Sequence, residues 1–366
     1  TRPAPRLATY NRPMQPRWQR LGLIAWAWVA LALGSASAQE LEHPPFGAEI
    51  EVRRVLTEVR VGGADGEPVL GLGPADFEAR IAGERVAVES VLWVPASAEA
   101  AAAGRSMEPL GTPAAPPEGR LIVVLVQVDP AFHPSRTSGL LRMAPRAAQF
   151  VAGLGPGDRV AVLVFRSHLQ LRADFSDDLA GVAELLTSTE VLEGKAPAPR
   201  ASGPSLAAQL SPDVARDAAS MDRALELIGE ALAPIPGPKS LVVYGYALGR
   251  LTAGPRITLD DGYRRAMRAL TAGRTSVFVL DITDADWHSL ELGLRTVSED
   301  TGGIYLKTHL FPEIAMAKLV RVISSYYELS LVPPPGLGGE YSIEVEVKRP
   351  KVEVHVRQEH PAPWMW

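Results

Sequence analysis

Hydrophobic positions change rhythm twice along the chain. From Ala48 to Val61 they alternate, with Ile50, Val52, Val55 and Val59 among charged neighbours, the period-two pattern of half-buried strands. The turn cluster Gly62-Gly-Ala-Asp-Gly66 follows. Phe77–Ile81 and Arg85–Val94 are then predicted to pair across Ala82-Gly83-Glu84 as a hairpin. Beyond a Pro-, Ala- and Gly-rich stretch, Leu121-Ile-Val-Val-Leu-Val-Gln-Val128 reads as a continuous apolar run. That is the mark of a strand covered on both faces in a parallel sheet. Similar runs recur at 159–165, 241–244 and 276–280. Between them Met221, Leu225, Ile228 and Leu232 form one helical stripe and Leu290, Leu294 and Val297 another, stopped by Gly302-Gly303. A third helix opens near Pro312, with Met316, Leu319, Val320 and Ile323 on its stripe. The segment 195–212, rich in Pro, Ala and Ser, reads as a long surface loop. From Tyr326 onward the rhythm is β again, at 327–332, 341–347 and 352–356.

The predicted fold class is α/β: a doubly wound, mostly parallel sheet over 120–325, with β modules at 45–94 and 326–358 and a linker at 95–119. Each β module has few strands to stand alone, so the economical arrangement is one β-sandwich built from both, with the α/β domain inserted between them.

The first residues read as an address. Met14, the expected start, precedes a basic stretch, the apolar run Leu21–Leu33 and the small residues Gly34-Ser-Ala-Ser-Ala38. This is the pattern of a signal peptide over 1–38, cut near Ala38. No later stretch is long and apolar enough for a span, so the expectation is an exported chain, periplasmic or extracellular, without a transmembrane segment after cleavage. Residues 1–38 hold five arginines and no acid, so the net charge of −5 leaves −10 on the remainder. Such a chain is a poor match for nucleic acid, whose binding is driven by neutralising cations. The absence of cysteine excludes disulfides, thiolate metal sites and a cysteine nucleophile.

Several phrases together carry a resemblance. A buried strand ending in Asp129, the segment Gly155-x-Gly-Asp158-Arg-Val-Ala-Val and the strand at Lys239-Ser-Leu-Val-Val-Tyr resemble a von Willebrand factor type A domain. More narrowly, Asp65-Gly-Glu-Pro-Val-Leu-Gly-Leu-Gly-Pro-Ala-Asp76-Phe77, then Thr301-Gly-Gly303 and Tyr326-Tyr-Glu-Leu329, are similar to the VWFA-related proteins common in Acidobacteria. The resemblance spans nearly all of 45–358. It implies a metal-ion-dependent adhesion site, where Asp-x-Ser-x-Ser after the first strand, a later Thr and an Asp after the fourth strand give oxygens to Mg²⁺. Here the first motif reads Asp129-Pro-Ala131-Phe-His133, and the fourth strand ends Tyr244-Gly245-Tyr246. The Thr position falls near Ala219 or Ser220. One ligand of the set remains, so no metal and no cofactor is expected there. Ser135-x-Thr137 keeps the hydroxyl spacing but reads as the cap and first turn of the next helix. Asp281, Asp284 and Asp286 follow the fifth strand, with Asp286 as a natural cap for the helix through Leu290.

Enzymatic signatures are absent: no Gly-x-Ser-x-Gly elbow, no His-Glu-x-x-His, no phosphate loop, and seven histidines without metal-ligand spacing. The expected function is a non-enzymatic, adhesion-type interaction with another protein of the cell envelope or exterior. Its binding face comprises Asp129, Phe132, His133, Ser135, Arg136, Tyr246, Arg250, Asp281 and Trp287. The alternatives are an envelope hydrolase using a strand-end acid cluster, marked by convergence of Asp129, Asp281 and His133, and a metal-dependent adhesin with a shifted cation site.

Overall fold

The computed structural model describes residues 54–95, 119–188, 198–251 and 257–360. The signal-peptide reading, the first part of the N-terminal alternation, nearly all of the linker and part of the 195–212 loop lie outside the described residues.

Four strands precede the α/β domain: β1 (Val55–Gly62), β2 (Phe77–Ile81), β3 (Glu84–Val86) and β4 (Val88–Pro95). The domain itself begins with β5 (Leu121–Gln127), α1 (Pro134–Ala152), β6 (Arg159–Phe165), β7 (Leu169–Ser176) and α2 (Leu179–Thr187). It continues through α3 (Pro212–Arg216), α4 (Met221–Leu232), β8 (Lys239–Gly245) and the short pair β9 (Arg250–Leu251) and β10 (Ile257–Thr258). It closes with α5 (Asp261–Ala272), β11 (Thr275–Asp281), α6 (Glu291–Asp300), β12 (Tyr305–Lys307) and α7 (Pro312–Val322). Last come β13 (Ser325–Leu331), β14 (Tyr341–Val347), β15 (Glu353–Val356) and β16 (Glu359–His360).

The central sheet runs β12-β11-β8-β5-β6-β7, parallel except for the antiparallel edge strand β7. Side chains alternate between two cores. Val123, Leu125, Leu241 and Val277 meet α4, α5 and α6 on one face. Ile122, Val124, Val242 and Phe278 meet α1, α2 and α7 on the other. This is why the apolar runs are continuous: every position of β8 and β11 is buried. Sequence rhythm did not reveal β7, β12, α2 or α5. The first carries polar residues on an edge, and β12 is three residues long.

The two β modules share sheets. One is ordered β15-β1-β13-β4 and the other β16-β14-β2-β3, with Val59, Ile81, Leu329 and Ile343 buried between them. The predicted hairpin needs correction. Phe77–Ile81 does turn back into Glu84–Val86, but the chain then changes sheet, and Val88–Pro95 pairs with β13. The outward face of β1 also departs from the alternation, because Glu58 and Arg60 are buried against the α/β domain rather than solvated. Arg274, at the turn into β11, pairs with Glu58 at 3.1 Å and Glu328 at 3.3 Å. Arg357 donates to the carbonyls of Leu270 and Thr275.

His355 lies opposite Arg60 in the β1–β15 pairing. Burial pushes its imidazole down to about 4, with Arg60 and Lys318 adding to the shift against Glu353. Relative to an unfolded histidine near 6.5, the native state resists the proton. Folding stability therefore falls as pH drops from 6.5 to 4 and this loss is complete below 4, amounting to about 3 kcal/mol. Urea unfolding of wild type and His355→Gln across that window is expected to show a shallower pH slope in the variant.

Candidate functional site

The order of strands reverses at β5: β6 and β7 lie on one side, β8, β11 and β12 on the other. The crevice beyond the carboxyl ends of β5 and β8 is the place where doubly wound sheets put their ligands. Gln127, the single polar side chain inside the apolar run of β5, closes it. Its Oε1 accepts from the Tyr246 and Ala247 N–H groups at 2.8 and 3.1 Å, and its Nε2 donates to the Ala247 carbonyl at 3.0 Å. Sequence reasoning passed over this residue, although its polarity within Leu121–Val128 was the signal.

Asp129 stands at the same rim and is 6% exposed. Oδ1 accepts from the Ala131 N–H at 3.0 Å. Oδ2 accepts from the His133 N–H at 3.3 Å and from Arg136 Nη1 at 2.9 Å. Burial by itself would raise this carboxyl, but the Ala131 N–H, the Arg136 guanidinium and the His133 N–H together hold it below the ordinary range. The turn is tight enough to put Phe132 at φ 53°, and the residue is 59% exposed. The Arg136 guanidinium lies 4.4 Å from the Tyr246 ring centroid, bridging the end of β5 to the end of β8. Burial, then the Asp129 charge, raises the Tyr246 phenol.

His133 is the N-cap of α1 by backbone position and makes no side-chain cap bond, so the capping role expected of Ser135 is corrected. Ser135 and Thr137 are in the first turn. Ser135 Oγ instead meets His133 Nδ1 at 2.9 Å, and its carbonyl accepts from the Asp284 N–H at 3.0 Å. Asp286 is likewise not the expected cap: α6 starts after Leu290.

The rest of the expected face divides. Asp281 ends β11, separated from Asp129 by the intervening strand β8 and so roughly 10 Å of sheet. Asp129, Asp281 and His133 therefore do not converge in one pocket. Asp281 has its own partners: Oδ2 accepts from Tyr305 Oη at 2.5 Å and meets His288 Nε2 at 2.6 Å, and Oδ1 accepts from the Thr283 N–H. Arg250 lines a different, open cleft of about 560 Å³ with Asp217, Ser220, Asp222 and Asp260. Ser220, at the expected Thr position, caps α4 there by accepting from the Arg223 N–H. Trp287, 64% exposed, lines a pocket of about 520 Å³ with Ile257, His288, Glu291 and Arg295.

Two histidines that look scattered in sequence are brought to acids. His288 reaches Asp281, and His309 Nδ1 meets Asp284 at 2.6 Å beside Arg142 at 2.9 Å. Asp281, His288 and Glu291 have ligand atoms within 4.8 Å of one another, a donor set that can hold a divalent metal ion. Tyr305 already donates to Asp281, and Lys307 (2.8 Å) and Arg295 (3.6 Å) are ion-paired with Glu291, whose buried Oε2 accepts no hydrogen bond among the described residues. Among the described residues no helix is long and apolar enough to cross a membrane.

No protein-family model and no curated protein matches the sequence. Among solved structures the chain is similar to the conserved hypothetical protein BatB from Bacteroides thetaiotaomicron, at 16% identity over 56% of this chain and 98% of that one, with a TM-score of 0.38. It is similar to a von Willebrand factor type A protein from Catenulispora acidiphila at 10% identity over 86% and 74% of the two chains, TM-score 0.38. A third is proximal thread matrix protein 1 from the mussel byssus, with a zinc-occupied MIDAS motif, at 12% identity over 59% and 48%, TM-score 0.33. The strand order, with its antiparallel edge strand and helices on both faces, is that of the doubly wound α/β class expected from the sequence.

Proposed function

We propose that the chain is an exported, non-enzymatic interaction protein whose von Willebrand factor type A-like domain engages a protein of the cell envelope or exterior without a divalent cation. The observation that carries the reading is the ionic closure of Asp129. Three donors already occupy its carboxylate, one backbone N–H on Oδ1 and a second N–H with a resident guanidinium on Oδ2, and Gly245-Tyr246 after β8 supplies no second carboxylate. A hard dication needs several oxygen ligands to replace its hydration shell, and these residues do not fit one. Beside the closed site stand the exposed ring of Phe132 and the half-buried Tyr246, the kind of side chain that anchors protein contacts.

Isothermal titration of the full chain with Mg²⁺ and Mn²⁺ tests the metal-free site. The expected result is no saturable heat for wild type and none for Asp129→Asn. Micromolar binding by wild type that Asp129→Asn abolishes would overturn the reading.

The Asp281–His288–Glu291 group supports a second reading, a cation site shifted to the end of β11. There Lys307 and Arg295 would have to give way to the ion. A saturable heat lost in His288→Ala but kept in Asp129→Asn would select it.

A further inference from the structure

We propose that the rim formed by the ends of β5, β6 and β8 binds an acidic protein segment through two aromatic-backed guanidiniums, Arg136 and Arg166. The proposal rests on the metal-free reading above and names the chemistry of its partner.

Arg136 is stacked 4.4 Å from the Tyr246 centroid and spends Nη1 on Asp129. No other acceptor for it is found among the described residues, and its side chain is 31% exposed. Arg166 follows β6, the parallel neighbour of β5, and stands 5.1 Å from the centroid of Phe132, the exposed ring of the Asp129 turn. Its Nε is buried without an acceptor, and no carboxylate pairs with it among the described residues. A ring under a guanidinium fixes its plane and keeps the N–H edge in position for a carboxylate, so little entropy is lost when one arrives.

Charge points the same way. Segments 129–136 and 165–172 contain three arginines (Arg136, Arg166, Arg172) and one acid, Asp129, which is already bound. Yet over the whole chain 42 acids outnumber 37 bases. The rim is thus a cationic patch on an anionic protein. Arg172 shows the crowding: burial first, and then the Arg166 charge, lowers its affinity for its own proton. A short acidic segment of the rim's size meets this local field. An extended anionic surface such as a bilayer also meets the repulsion of the remaining chain. The exposed Phe132 ring adds an apolar contact that a protein segment can use.

The test is fluorescence anisotropy of a labelled oligoglutamate peptide with the full chain, at low salt, in EDTA and in Mg²⁺. Oligoserine and phosphatidylserine vesicles serve as comparators. Expected are saturable binding of oligoglutamate alone, equal in EDTA and Mg²⁺, and about tenfold weaker binding for Arg136→Gln and for Arg166→Gln. Arg136→Gln disturbs Asp129 and with it the fold of the turn, so Arg166→Gln is the deciding variant. Unchanged affinity in Arg166→Gln, or tighter binding to the vesicles than to the peptide, overturns the proposal. Binding that needs Mg²⁺ overturns the metal-free reading and this proposal with it. Absence of peptide binding, in a chain that also binds no Mg²⁺, overturns this proposal alone.

Discussion

Replacing Arg60 with alanine is expected to cost about 3–5 kcal/mol of folding stability, because it removes a buried cation from a prearranged set of acceptors. Arg60 belongs to the sandwich, yet its side chain crosses to the α/β domain and is 6% exposed. Nη1 donates to Ser276 Oγ and to the Gly302 carbonyl, each at 3.2 Å, and the guanidinium stands 5.1 Å from the Phe278 centroid and 5.7 Å from that of Tyr326. Burial lowers its pKa, while the nearby Glu58 charge opposes that shift. Truncation leaves the Gly302 carbonyl without this donor, removes the countercharge facing Glu58 and opens a cavity between the sandwich and the α/β domain. Arg60→Met keeps most of the volume and is expected to recover about half the loss, since replacing a buried charge by an apolar side chain spares its desolvation. Urea unfolding of the three proteins measures both values. A loss below about 1 kcal/mol for Arg60→Ala would mean that the sandwich and the α/β domain are joined by other contacts.

Gly139→Ala is expected to destabilise by about 3 kcal/mol or more, against the sign that helix propensity alone assigns. In an exposed helix interior the same change stabilises by about 0.5–1 kcal/mol. Gly139 is buried in α1, where a Cβ would stand 1.6 Å from the Ile282 carbonyl oxygen. That oxygen belongs to the backbone just after β11, so no rotamer change relieves the clash. Helix and loop must part, and with them the Ser135 carbonyl to Asp284 N–H bond and the Arg142–Asp284 pair. Thermal unfolding with near-ultraviolet circular dichroism reports the loss. A variant as stable as wild type would show that α1 does not approach the β11 end this closely.

The fold was largely legible in the sequence, and the reason is visible in individual strands. Residues 122–126 and 277–280 are apolar because both faces are covered, and coverage on both faces is what a doubly wound sheet requires. Where one side of an element meets another domain, the rhythm misleads. Glu58 and Arg60 occupy the polar positions of an alternating strand and are nevertheless buried, because their charges are matched by Arg274, Ser276 and the Gly302 carbonyl. The sheet change at Ala87 escaped for a related reason: residues 85–94 look like one strand locally, and only their partners, β2 on one side and β13 on the other, divide them.

For the site, the chain by itself determined which side chains are on offer. Pro130-Ala131-Phe132-His133 follows Asp129 and Tyr246 follows Gly245, so neither position is followed directly by a carboxylate. What these side chains meet was decided only in three dimensions. Arg136 reaches Asp129 because a helical turn brings residue 136 back toward residue 129, and Tyr246 stacks on it because β8 lies beside β5 in the sheet. Gln127 closes the crevice and His288 finds Asp281 through the same folding of distant segments into contact. Pairing of this kind depends on distance and orientation, and spacing along a chain specifies neither for residues on separate elements.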